Sequence, residues 1–487
     1  VLSLLLEQSL MSLAARLSEQ VQRTPDAIVV SDIRNTYRFS DFYERITRIA
    51  GGMREVYALD AGTRVLLFME NRGEFLELLF ACWHLGCAVV PVNSRLHPEE
   101  VAHIAADAQV ALAFVSGACG DVIHRLHASG NVPVVDIDST VYQSLPACQP
   151  VAMAAAAPDT LAWLFYTSGT TGKPKGAMLS HRNLVFMCEA YCSDLRYPCA
   201  GDTQLHAAPL SHGAGMYALP HLLAGGRQQI LAQFDPQAVI EAIAVYQGVS
   251  FFAAPTMVMR LVNYPDAHPS LFAHLKFIVY GGAPMYVADL KKALSLFGPR
   301  LYQLYGQGEA PMTITGLSQA NHMAADFQAR EARLASCGYP RNGVEVAVFD
   351  AEGNALPSGV VGEIVTRSPC VMQGYWNNPE ATRDTLQDGW LYTGDIGSMR
   401  DDGLLTLQDR SKDLIISGGS DVYPREIEEV LLRHPGVREC ASVGKPDSEW
   451  GGLPAAFIVP ATKPAPTIAE LESLVLDHLA RFKRSRK

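Results

Sequence analysis

The chain is predicted to be an α/β protein. It comprises a large N-terminal domain of parallel-type sheets layered with helices, a β-rich subdomain inside it, and a small α+β C-terminal domain. Three observations carry this expectation. Strand-like apolar runs alternate with helix-like runs over most of the chain, the pattern of parallel sheets covered by helices. Beyond Val344 short strands with turn signals appear, and near Arg410 the character changes again. The expected boundaries are 1–410 for the large domain, with its β-rich subdomain at about 344–410, and 411–487 for the small one.

Arg64–Phe68, Ala88–Val90, Val249–Phe252 and Phe277–Tyr280 are short, mostly apolar runs of strand length, as buried strands require. Glu74–His84 and Val287–Leu296 read as helices. The apolar stretch from Phe75 to Val92 contains Glu77, His84 and Gly86, so it reads as a core helix running into a strand and not as a membrane span. Leu161–Tyr166 is a buried strand; a short strand follows at Ala177–Leu179, and Ser180 caps a helix starting near His181. Val344–Phe349 is a strand before the turn Asp350–Gly353. Pro424 opens a helix whose early turns hold Glu426, Glu428 and Glu429, where acidic side chains suit the macrodipole. His434-Pro435-Gly436 ends it, and a last helix is expected near Ile468–Phe482.

Acidic residues outnumber basic ones by 50 to 39, for a net charge of −11. A nucleic-acid partner needs a basic face, so that class is set aside, and an anionic substrate must meet local positive charge. Ten cysteines occur without a Cys-x-x-Cys pair, which fits free thiols in a reducing, cytoplasmic compartment. Cys188 and Cys192, one helical turn apart, fit buried thiols better than a metal site. Val1–Leu6 has no basic segment before it, so no signal peptide is expected, and residue 1 is not methionine. Oligomeric state is unreadable from the chain; a homodimer is one expectation.

The run Thr167-Ser168-Gly169-Thr170-Thr171-Gly172-Lys173-Pro174-Lys175-Gly176 leaves the strand at Leu161–Tyr166. Its glycines let backbone N–H groups approach a ligand closely. Its hydroxyls donate to phosphate oxygens and its ammonium groups neutralise them. It is not a Walker loop, because Pro174 follows Gly172-Lys173 and prevents the immediate helix that motif needs. A phosphate-binding loop that bridges two strands is the reading. Ligands of parallel sheets bind at the carboxyl ends of strands, and Gly281-Gly282 and Tyr305-Gly306 also follow strand-like runs.

The decapeptide resembles the phosphate loop of the adenylate-forming (AMP-binding) superfamily, which comprises acyl- and aryl-CoA synthetases, luciferases and peptide-synthetase adenylation domains. Four further segments match in order: Gly281-Gly282-Ala283-Pro284, the heptapeptide Gln303–Glu309, Gly389–Asp395, and Asp409–Gly419. Val90–Leu96 and Gly374-Tyr375-Trp376-Asn377-Asn378-Pro379 are also similar to this family. The resemblance covers nearly the whole chain and is to the acyl-CoA synthetase, or fatty-acid–CoA ligase, branch.

That resemblance implies roles residue by residue. Thr167, Ser168, Gly169, Thr170, Thr171, Gly172, Lys173 and Lys175 would clamp the phosphates of ATP. Gly282, Ala283 and Pro284 would form a wall against adenine, Tyr305 would stack on it, and Gln303 would help line the base pocket. Glu309 would contact Mg²⁺ through the phosphates. Asp395 would accept the ribose hydroxyls, and Arg410 would support the ribose or phosphate. Lys412 occupies the hinge before a small mobile domain, and Gly418 and Gly419 would line the tunnel for the CoA thiol. His212, in Pro209–Met216, would line the carboxylate pocket. It is not a general base, because a carboxylate nucleophile is already ionised at neutral pH. The expected catalytic residues are therefore Lys175, Glu309 and His212. The chain departs from the family at Gly308, where a threonine is usual, and the hydroxyl expected at the α-phosphate is lost.

The implied reaction has two halves. The substrate carboxylate attacks the α-phosphorus of Mg·ATP to give acyl-AMP and pyrophosphate; the thiol of coenzyme A then attacks the anhydride and AMP leaves. No aspartate lies between Leu210 and Met216 to bind a substrate amine, which favours an uncharged acyl or aryl tail; the leading expectation is a fatty or similar apolar acid. Alternatives are an aryl-acid CoA ligase, a luciferase-like enzyme, a fatty acyl-AMP ligase, or a non-catalytic nucleotide- or acyl-binding homologue. The family also carries a late lysine in a segment resembling Pro-Arg-x-x-x-Gly-Lys. None of the lysines in Arg481–Lys487 is assigned that role, so the small domain is expected to be incomplete and adenylation by a chain ending there slow.

Overall fold

The computed structural model describes residues 12–128, 132–167, 174–195, 198–283, 285–324, 327–410, 415–417, 420–447, 451–461 and 463–479. Two mainly parallel sheets form the body. One runs, in spatial order, Val134–Asp136, Leu112–Val115, Arg64–Phe68, Ala88–Val92, Leu161–Thr167 and Lys175–Ser180. Its first five strands are parallel, and the last pair is antiparallel, with Thr167 opposite Lys175. The other is centred on the parallel strands Arg227–Ile230, Thr203–His206, Val249–Ala253, Leu275–Tyr280 and Leu301–Tyr305. Antiparallel strands close both of its edges, Thr36–Arg38 at one and Thr315–Leu317 with Tyr339–Pro340 at the other.

The helices between these sheets are apolar where they must be. Gly73–Leu85 is buried along nearly its whole length, which is why its sequence shows no polar face. Its interior Glu77 is paired with Arg45 and accepts from Tyr142 Oη at 2.6 Å. His181–Asp194 starts at a capping box, in which Ser180 accepts from Asn183 N and the Asn183 side chain accepts from Ser180 N. Cys188 is buried in that helix, and all ten cysteines are free thiols.

A third sheet, antiparallel, gathers Glu345–Phe349, Gly362–Arg367, Trp390–Met399, Leu386–Gln387 and Leu405–Arg410. A fourth contains Ser420–Val422, Ile415–Ser417, Gly451–Pro460 and Val437–Asp447, covered by the helices Pro424–Leu431 and Ile468–His478. Three boundaries differ from expectation. The strand after the loop runs over Lys175–Ser180, the helix at Pro424 stops at Leu431 before reaching His434-Pro435-Gly436, and the last described helix ends at His478. No helix among the described residues is long and apolar enough to cross a membrane.

Five histidines are buried in the body, His84, His181, His206, His221 and His322. Burial lowers the pKa of each, to about 4 for His181, His206 and His322 and about 3 for His221. The neutral ring suits its partners: His322 Nδ1–H donates to Ser318 O and Nε2 accepts from Tyr280 Oη, both at 2.8 Å. The folded pKa values lie below the unfolded value near 6.5, so as pH falls the unfolded chain takes up protons that the native chain refuses. This stabilising contribution is intact above pH 6.5 and is lost between there and about pH 4, at roughly 1–3 kcal/mol per histidine. The urea midpoint is therefore expected to fall steadily from pH 7.5 to pH 5, and His206→Gln to flatten that slope; a midpoint constant over this range contradicts the account.

Candidate active site

The carboxyl ends of three parallel-type strands, ending at Thr167, Tyr280 and Tyr305, open onto one cleft of about 960 Å³. That volume is at the upper end for small-ligand sites. Its lining includes Phe165, Thr167, Lys175, His212, Gly282, Gly306–Glu309, Tyr375 and Thr393–Asp395. Gly282 turns away from its strand at φ +80°, a conformation that glycine adopts without steric cost.

Glu309 is held by two hydroxyls. Thr167 Oγ1–H donates to its Oε1 at 3.1 Å and Tyr375 Oη–H donates to the same oxygen at 2.7 Å. Tyr375 reaches this position because Gln373–Trp376 pairs with the strand Lys175–Ser180: Met178 N donates to Gly374 O and Trp376 N to Gly176 O. Met372 N also donates to Glu309 O, tying the same segment to the glutamate's backbone. Burial, and then the Glu309 charge, push the Tyr375 phenol up, so it stays a donor. Lys175 Nζ lies 5.2 Å from the centre of the Tyr375 ring.

Asp395 occupies the other end, 4 % exposed. Its strand is bulged: Glu363 pairs with Ile396 and Val365 with Tyr392, so Ile364 faces three residues, 393–395. Such a bulge re-aims side chains, and Gly394 within it adopts φ +70° and donates its N–H to Glu363 Oε1. Asp395 Oδ2 accepts from Tyr305 Oη at 2.6 Å and from Gln307 Nε2 at 2.7 Å. Gln307 Nε2 also donates to Thr393 O at 2.8 Å. Burial and the Asp395 charge raise the Tyr305 pKa far above its ordinary value, keeping its proton in place.

His212 lies against Phe165 with ring centroids 5.8 Å apart and an interplanar angle of 81°. Burial lowers its pKa, so the ring is neutral at pH 7, and its Nδ1 shares a hydrogen bond with Ser211 Oγ at 2.9 Å.

The cleft thus brings together Thr167, Lys175, His212, Gly282, Glu309 and Asp395. Three of the expected residues are absent from the lining. Tyr305 is one: it is buried and donates its hydroxyl to Asp395. Gln303 is likewise absent from the lining, and its side-chain oxygen lies 3.3 Å from Tyr280 Oη. Ala283 is not part of the lining either. Arg410 is opposite Asp395 in strand register, and its side chain lies outside the described residues. So do Ser168, Gly169, Thr170, Thr171, Gly172, Lys173, Pro284, Lys412, Gly418 and Gly419. Gln307 and Tyr375 were missed as functional residues. Both stand in motifs of the chain, and only the fold reveals which carboxylate each one meets.

Among the described residues no group of three or more His, Cys, Asp or Glu could hold a metal by itself. A single hard carboxylate with both described hydrogen bonds on one oxygen fits a Mg²⁺ ion that is held mostly by phosphate and water.

Comparison with known proteins agrees with this geometry. The family model for AMP-binding enzymes matches residues 17–376, and that for the AMP-binding enzyme C-terminal domain matches residues 426–487. The chain is 35% identical to a feruloyl-CoA synthase of an Amycolatopsis species over 446 residues, covering 91% of this chain and 87% of that protein. It is 33% identical to a medium/long-chain-fatty-acid–CoA ligase of Mycobacterium tuberculosis, covering 90% and 78% respectively. Its fold matches ATP-bound MatB from Rhodopseudomonas palustris with a TM-score of 0.89 at 27% identity, covering 98% of this chain and 94% of that one. A cleft at strand ends with a buried carboxylate at either end, and family matches along both parts of the chain, place this protein in the AMP-binding enzyme family, within the acid–CoA ligase branch of the adenylate-forming superfamily.

Proposed function

We propose that this chain is an ATP-dependent carboxylic acid–CoA ligase acting on a fatty, apolar acid. The observation that carries the reading is the cleft with Asp395 at one end, Glu309 and Lys175 at the other, and the neutral pair Phe165–His212 beside them. Asp395, steadied by Tyr305 and Gln307, would accept ribose hydroxyls. Lys175 would neutralise phosphate charge together with Lys173. Glu309 would hold Mg²⁺, which when bound covers the charge of the polyphosphate in a cleft whose lining also carries Asp350, Glu352, Glu363, Asp384 and Asp388.

In the first half-reaction the acid's carboxylate oxygen forms a bond to the α-phosphorus and the bond to the pyrophosphate oxygen breaks. Catalysis is then positioning and charge neutralisation. A neutral His212 suits a pocket for an already ionised carboxylate, since no proton must be removed. In the second half-reaction the CoA sulfur bonds to the acyl carbon, its proton passes to solvent, and AMP leaves. The segment 411–487 would turn about Lys412 between the two halves, bringing Gly418 and Gly419 to the thiol.

An aryl acid is the second reading. What favours it is the Phe165 ring, edge-on to His212, together with the likeness to a feruloyl-CoA synthase.

A panel of fatty, aromatic and dicarboxylic acids with ATP and CoA tests both. Fatty acyl-CoA with equimolar AMP is expected as the main product; hydroxycinnamate-type thioesters in its place would establish the second reading. Absence of acid-dependent pyrophosphate exchange with every acid would exclude an activating enzyme. Replacing Asp395 by Asn is expected to raise the KM for ATP roughly ten- to hundredfold, the loss of a hydrogen bond to a charged group. In Glu309→Gln the exchange rate should drop about 10²-fold or more with a smaller change in ATP affinity. Tyr375→Phe, which leaves the carboxylate but removes one donor, should fall between Glu309→Gln and the unsubstituted protein; a Tyr375→Phe rate below that of Glu309→Gln contradicts the anchoring role.

A further inference from the structure

The backbone of Gly308 runs closer to its neighbours than any side chain would permit. A Cβ placed on it would lie 2.5 Å from Thr167 Cγ2, 2.6 Å from Phe165 Cδ1 and 2.9 Å from Phe165 Cε1. Contacts of this length do not persist, so the room for a side chain at 308 is already taken by the Phe165 ring and the Thr167 methyl. Phe165 and Thr167 are two residues apart on the strand Leu161–Thr167 and so share one face of it. Both line the cleft, as do Gly308 and Glu309. Phe165 also meets the His212 ring, 5.8 Å away and nearly perpendicular. The ring therefore stands between the carboxylate clamp at Thr167–Glu309 and the neutral imidazole of His212.

We propose that Phe165 is a positioning residue for acid activation: its ring occupies the space that a side chain at 308 would fill and, with His212, forms the wall that holds the carboxyl end of the substrate against the nucleotide clamp. This rests on the acid-activating reading of the cleft. Gly308 is then required by the ring, and the hydroxyl absent at 308 is exchanged for a rigid apolar edge. A carboxyl group bounded by that edge has fewer orientations open to it before attack, which is where an enzyme of this kind gains rate.

The test combines kinetics with stability. In F165A the KM for the acid is expected to rise by roughly tenfold or more, as misplacement of a reacting group does, while the dissociation constant for ATP, measured by calorimetry, stays within twofold. A merely structural role would lower the melting temperature without that split. Because Thr167 closes on the same point, the steric claim is tested with Thr167→Ser, which keeps the hydroxyl that donates to Glu309 and removes the methyl. T167S/G308A should melt below T167S, and adding F165A should return part of that loss. Additive melting losses for G308A and F165A, or an unmoved acid KM in F165A, overturn the proposal while pyrophosphate exchange in the unsubstituted protein still upholds the functional reading. Absence of exchange in the unsubstituted protein overturns that reading and the positioning role with it.

Discussion

The site depends on how two carboxylates are kept, nearly buried, in the wall of one cleft. Glu309 is 9 % exposed and Asp395 4 %, and removing a charged group from water is expensive unless hydrogen bonds replace the lost solvation. The donors named here are neutral ones: the hydroxyls of Thr167 and Tyr375 for Glu309, and the Tyr305 phenol and Gln307 amide for Asp395. A hydrogen bond to a charged group contributes about 1.5–3 kcal/mol, and a neutral donor supplies it without cancelling the charge. Each carboxylate is held in place by these bonds. The donors come from different sheets, so the same bonds that sustain the charges also fasten the sheets together. Tyr305 and Gln307 belong to or follow the large parallel sheet, whereas Asp395 belongs to the antiparallel one. Thr167 ends a strand of the other parallel sheet, and Tyr375 is paired onto that sheet's last strand.

This arrangement explains what could and could not be read from the amino-acid sequence. The buried strands Arg64–Phe68, Val249–Ala253 and Leu275–Tyr280 announce themselves as short apolar runs because both of their faces are covered. The loop at Thr167 and the heptapeptide ending at Glu309 were legible because closely spaced glycines, hydroxyls and charges have few other uses. The partners of those charges were not. Tyr375 lies 66 residues from Glu309 and Gln307 lies 88 from Asp395, and no local pattern encodes a contact between sheets. Tyr305 shows the same limit from the other side: its motif marks it as part of the site, but no local pattern says that its hydroxyl meets Asp395, 90 residues away. The edge strands Thr315–Leu317 and Tyr339–Pro340 escaped notice because two or three residues are too few to show a period.

The residues beyond Arg410 raise a different question of energetics. The fourth sheet carries its own core, Ile415, Val422, Ile427, Val430, Leu431 and Val475, and no described residue before 415 belongs to that cluster. The described contacts that join its helix Pro424–Leu431 to the rest of the chain are polar. Tyr286 Oη donates to Glu428 Oε2 at 2.5 Å, Val287 N donates to Glu429 Oε2 at 3.4 Å, and Arg425 Nη1 donates to Leu407 O at 3.2 Å. Glu428 also accepts from Ser442 N at 2.6 Å through its other oxygen, so its carboxylate remains partnered inside the small unit when Tyr286 departs. Exchanging an individual hydrogen bond for one to water costs about 1 kcal/mol, whereas each large apolar side chain of the core is worth about 1.5–3 kcal/mol in burial. A turn about Lys412 that carries the fourth sheet as one body would break the weaker set and leave the stronger one whole. On the proposed ligase reading, that difference in cost would let two orientations of the same unit lie close in free energy, one for each half-step.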